Sequence, residues 1–90
     1  MSDDPRFRQD ERLPCQELDG QAVIVVPAKS EMHVLDEVGT FLWSELRRPC
    51  SVKELTESVC GEFDVGSERA ERDVRAFLDV LAGKGLVIQE

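Results

Sequence analysis

The side chains able to do chemistry are few and scattered. His33 is the single histidine, and the three cysteines are Cys15, Cys50 and Cys60. None of them falls at Cys-x-x-Cys spacing, so a zinc knuckle has no local nucleus. The expectation is reduced, half-buried thiols with no metal and no cofactor. Nucleophilic catalysis would have to run through His33, which lies mid-strand among hydrophobic neighbours. Gly83-Lys84-Gly85 closes a helix, where a phosphate-binding loop would open one. The carboxylates alternate with arginines, as in Glu68-Arg69, Glu71-Arg72-Asp73 and Arg75, the pattern of a solvated helix face with spaced ion pairs. No catalytic residue is assigned, and an enzyme acting alone is not expected.

What remains is binding, and bulk properties narrow the partners. Nineteen acidic and eleven basic residues in a chain of 90 give a net charge of -8. A surface of that sign repels phosphate backbones, which argues against nucleic acid. No apolar run reaches the length of a membrane span, and the N-terminus has no signal-peptide core, so a soluble, cytoplasmic chain without a membrane partner is expected. Met1 to Arg12 mixes both charge signs with Pro5 and reads as a flexible segment with no fold of its own. Residues 13–90 read as one small domain with a single modest core.

Within that domain the elements announce themselves by periodicity and turn chemistry. Leu13 to Leu18 is a strand candidate, and Asp19-Gly20 supplies the positive φ angles of a two-residue hairpin turn. Gln21 to Val26 is a β-branched run, apolar enough for a central strand. Pro27 ends it, and Glu31 to Leu35 returns as a third strand. Asp36 then caps a helix running to about Arg48, with Arg47 and Arg48 near its negative end. Gly39 inside this helix costs roughly 1 kcal/mol relative to alanine, which implies that something packs closely on it. Ser51-Val52-Lys53-Glu54 is a capping box opening a second helix. Ser67 is the expected cap of a third, whose Ala70, Val74, Phe77, Leu78 and Leu81 form a buried stripe. Leu86 to Ile88 is a closing strand or extended tail. The expected fold is α+β and winged-helix-like, an N-terminal three-stranded antiparallel meander followed by three short helices.

Two features of this layout point to binding. In a meander the third strand is an edge, which invites another chain to pair. Glu31, His33 and Lys29 add polar character there, which serves equally as edge protection or as the surroundings of an added peptide strand. On the third helix, Ala76 and Val80 widen the apolar sector beyond one packing face. Either the second helix or a dimer partner covers them, or they form the wall of a groove rimmed by Arg72, Asp73 and Arg75.

Several pieces in their order and spacing resemble the PqqD-like family, the pyrroloquinoline quinone biosynthesis protein D group. They are Ala22-Val23-Ile24-Val25 with Pro27, then Leu35-Asp36-x-x-Gly39-x-x-Leu42-Trp43, then Ser51-Val52-x-x-Leu55. Asp73-Val74-x-x-Phe77-Leu78-x-x-Leu81 and Gly85-Leu86-Val87 complete the series. The family commonly has Asn where Asp36 stands and Asp-Gly where this chain has Arg47-Arg48-Pro49-Cys50. The resemblance implies a non-catalytic chaperone that binds the leader of a ribosomally made precursor peptide and presents it to a radical SAM modifying enzyme. It names pyrroloquinoline quinone biosynthesis as one pathway. The leader would add as a strand beside the third strand, against the third helix. Carried over by position, the binding residues are Met32, His33, Val34 and Leu35 on the strand and Arg72, Arg75, Ala76 and Val80 on the helix. The alternatives are an acidic winged-helix module that binds DNA or one that dimerises. Nothing in the sequence chooses between monomer and homodimer.

Overall fold

The computed structural model describes residues 5–90. Its meander follows from local chemistry. Strands β2 (Cys15–Leu18) and β3 (Gln21–Val26) join through Asp19 and Gly20 at φ 53° and 80°, the left-handed pair that a two-residue hairpin turn requires. Pro27 closes β3 with one turn of 3-10 helix through Lys29, Ser30 reverses the chain at φ 52°, and β4 (Glu31–Val34) pairs antiparallel with β3. The sheet order is β2-β3-β4. Ala22, Ile24 and Val26 of β3 are buried in the core beneath the helices.

Three helices cover that face. Asp36 caps α1 (Glu37–Glu45) by accepting from the Gly39 N–H at 2.7 Å. The capping box forms as the residue spacing requires, with Ser51 Oγ accepting from Glu54 N and Glu54 Oε1 accepting from Ser51 N, and it opens α2 (Val52–Glu62). The longest helix, α3 (Ser67–Gly83), departs from expectation at its start. Gly66 occupies the cap position and Ser67 is the first helical residue, with no side-chain cap bond. Ile24, Leu42, Leu46, Leu55, Val74 and Leu86 are fully buried where strands and helices meet. Among the described residues no helix is long and apolar enough to cross a membrane.

The larger correction concerns the N-terminus. Residues 6–9 are not a free leader: they form β1 (Arg6–Gln9), the centre of a second sheet of order β5-β1-β6, with β5 at Cys50–Ser51 and β6 at Val87–Gln89. Phe7 lies opposite Cys50 on one side and Gln89 on the other, and packs on the core. Asp10 N donates to Leu86 O at 3.1 Å, and Gln9 N donates to Leu46 O at 2.8 Å. That last bond also explains why α1 stops at Glu45, short of Arg48. The chain must leave the helix at Leu46 to meet β1, so Arg47 and Arg48 fall outside the last turn. The part of the expected flexible segment at Met1 to Asp4 lies outside the described residues.

Two expected outcomes test this attachment. Phe7→Ala should lower stability by about 1–3 kcal/mol in a urea melt, whereas a free leader would tolerate it within about 0.5 kcal/mol. The second involves Asp10, which joins β1 to the meander. Its carboxyl is held down to about 2 by hydrogen bonds from the Arg12 side chain and backbone N–H. A depressed carboxyl contributes stability above its ordinary value of 3.8 that is lost as pH falls towards about 2. Stability should therefore decline over that window, and Asp10→Asn should flatten the decline; equal acid sensitivity in the variant would remove Asp10 from the account.

Candidate functional site

The passage from β4 into α1 is locked by a ring of backbone and hydroxyl groups. Leu35 N donates to Ala22 O at 2.9 Å, as the next rung of the β3–β4 ladder. The reciprocal bond is missing. In its place the Thr40 hydroxyl accepts from Ala22 N at 2.9 Å and donates to Leu35 O at 3.3 Å. The chain thus turns away from the sheet without orphaning a buried N–H. Gly39, one residue earlier, allows α3 to close on α1. A Cβ there would stand 3.1 Å from Asp36 Oδ1, 3.2 Å from Phe77 Cε1 and 3.3 Å from Leu35 Cβ. The close approach that the sequence implied is therefore Phe77.

Between this junction and α3 runs an open groove of about 520 Å³. Val38, Gly39 and Leu42 of α1 line one side with Asp36, and Arg69, Asp73, Ala76, Phe77 and Val80 of α3 line the other. The Arg69–Asp73 pair at its rim is 3.8 Å long and exposed, so it holds the rim only loosely.

Hydrogen-bond parity shows which groups on β4 are free. Leu35 bonds to Ala22, so alternate residues His33 and Glu31 also turn their backbone groups towards β3. The N–H and C=O groups of Met32 and Val34 then point away from the sheet, with no strand beyond them among the described residues. Their side chains lie on the face opposite the helices and are 67% and 61% exposed. The other edge, β2, differs. Val25 N donates to Pro14 O, so the free groups there belong to Cys15 and Glu17, the second of them a charged guard.

Of the strand residues expected at a site, Met32 and Val34 thus carry the free edge. Leu35 is buried in the core and His33 faces inward, opposite Ile24. Among the described residues the His33 Nε2, shut off from solvent, has no hydrogen-bond partner, and Glu31 Oε1 stands 3.5 Å away. On the helix, Ala76 and Val80 line the groove. Arg72 lines none of its wall, and Arg75 sits on a different side of α3, paired with Glu71 at 3.1 Å over a hollow against α2. The structure therefore does not bring Arg75 together with β4. Arg69, Phe77, Val38 and Thr40 were missed. Stepping back seven residues from Ala76 and three from Val80 would have found Arg69 and Phe77, while Asp73 was already placed on the rim. No local signal marks Thr40.

An α+β winged-helix-like domain whose bare edge strand runs into the mouth of a helix groove at Asp36 is thus the class of molecule that these features define. The family model for coenzyme PQQ synthesis protein D matches residues 21–87, and the chain belongs to that family. Among solved structures, TbiB1 in complex with the TbiA(beta) leader peptide is 29% identical, with a TM-score of 0.80 over 89% of this chain and 93% of that one. A lasso peptide synthetase B1 complexed with the leader peptide is 21% identical, with a TM-score of 0.80 over 91% of this chain and 96% of that one, and it shares the fold. No curated protein matches the chain.

Thr40→Val should cost about 1–3 kcal/mol, because it leaves Ala22 N–H without a partner, while Thr40→Ser should recover most of that. Chemical denaturation of the two variants side by side checks the point; equal stabilities would mean that the hydroxyl is not the linking group.

Proposed function

We propose that this chain is a non-catalytic chaperone that binds the leader of a ribosomally made precursor peptide by adding it as a strand to β4. It then presents the peptide to a modifying enzyme of the radical SAM class, in pyrroloquinoline quinone biosynthesis or in the making of another peptide product. The observation that carries this reading is the unguarded edge at Met32 and Val34, which leads within two residues to Asp36 at the mouth of the groove walled by Ala76, Phe77 and Val80. An extended peptide finds there backbone partners for affinity and a groove for its alternate side chains. The TbiB1 structure, with its bound leader, supports the reading by likeness of fold and sequence.

A DNA-binding winged helix fits the surface poorly. Acids outnumber bases three to one on α2 and four to three on α3, where a recognition helix would need the reverse. Nor does the site gather an acid, a base and a nucleophile for chemistry of its own. Ordering a flexible leader is costly, and backbone bonds to two residues with a few apolar anchors offset that cost only modestly.

The test removes one donor. Proline at an edge position whose N–H faces outward is tolerated by a sheet, so Val34→Pro deletes a peptide-facing donor and leaves the β3 ladder intact. NMR titration of the full chain with the leader encoded nearest its gene should shift Met32 to Leu35 and the α3 groove residues. Val34→Pro, with its folded spectrum retained, should weaken binding at least about tenfold. Unchanged affinity in that variant, or shifts confined elsewhere, would reject strand addition at β4.

A further inference from the structure

Natural edges are usually guarded by charged side chains or by inward-pointing charge. Here the two polar residues of β4, Glu31 and His33, have their backbone groups committed to β3 and their side chains on the helix-facing side. The residues with free backbone groups, Met32 and Val34, carry apolar side chains that stand largely exposed on the opposite face. Val23 and Val25 of β3 lie beside them in register, opposite Val34 and Met32; Val23 is already buried and Val25 half-buried, so Met32 and Val34 are the exposed margin of this outer apolar face. The groove alone does not account for this second apolar surface.

Register says what would meet it. In an added strand, the residue facing His33 projects inward towards the groove between Val38 and Val80. Its two neighbours, facing Met32 and Val34, project onto the outer face, and this holds whichever way the added strand runs. An alternating ligand, apolar towards the groove and polar outward, would leave Met32 and Val34 bare and place polar side chains directly beside them. Apolar and β-branched cross-strand pairs are the favourable ones.

Resting on the peptide-binding reading above, we infer that the recognised segment is a run of three consecutive apolar residues. The middle one enters the groove, and the flanking two cover Met32 and Val34. Selectivity thus comes from both faces of the edge, and Met32 and Val34 are specificity-determining residues through their side chains as well as through their backbone groups.

The experiment is a displayed library of fully randomised extended peptides, selected on the full chain and counter-selected on Val34→Pro. Expected is enrichment of three adjacent apolar positions. In synthetic peptides from that pool, changing either flank to Ser should weaken binding roughly two- to fivefold. A repeat selection on Met32→Lys should shift one flank to Asp or Glu. Edge-binding peptides with polar flanks, or flank preferences unmoved by Met32→Lys, would overturn the inference while leaving strand addition standing. A library yielding no peptide sensitive to Val34→Pro would overturn both. So would a dimer abolished by Val34→Pro in its place, which would assign the apolar edge to a second copy of the chain.

Discussion

The rest of the molecule depends on how the backbone leaves the meander at Leu35. A strand that turns into a helix must give up ladder bonds just where it is most buried, and each buried group so released has to find a new partner. The Thr40 hydroxyl takes both roles at once, acceptor for Ala22 N and donor to Leu35 O. The Asp36 carboxylate covers the next exposed donor, at Gly39. With those groups satisfied, α1 is fixed in angle against the sheet. Phe77 can then rest on the bare backbone of Gly39, and the distance between α3 and β4 is set. Groove width is therefore a property of one junction of six residues.

The overall charge works with this arrangement by exclusion. A net charge of -8 makes the approach of phosphate-rich surfaces, or of another copy of the chain, electrostatically less favourable. The apolar edge is a small interruption in that surface. Exposed apolar residues beside free backbone groups are ordinarily an aggregation hazard, and acidic surroundings are one means of containing it. The same edge can stay open to an uncharged or basic extended segment.

What was legible in the sequence was what local chemistry decides. Asp19-Gly20, Asp36 and the Ser51–Glu54 box each act within a few residues, and each stands where its spacing says. The long apolar stripe of α3 was equally plain. β1 was not, because Phe7 has no local partner: its neighbours are Cys50 and Gln89, and a four-residue strand of mixed charge looks like a tail until they are known. The end of α1 was misread for the same reason, since Gln9 claims Leu46 O across the chain. At the candidate site, strand and helix were identified but not their facing. Glu31 and His33 looked like guards of the edge, and Arg75 like its rim, because composition names residues without saying which way each backbone group turns.

The second sheet has a bearing on the order of assembly. β1 is made before both of its partners, β6 and the two-residue β5. Closing so long a loop is entropically expensive until the intervening parts are compact. The meander and helices, whose contacts are mostly between neighbours in sequence, can organise while β1 waits. The N-terminal strand is thus the seal of the fold and not its seed, set in place only after Leu86 to Gln89 have left the ribosome. Until then the carbonyls of Leu46 and Leu86 lack the partners that Gln9 and Asp10 give them.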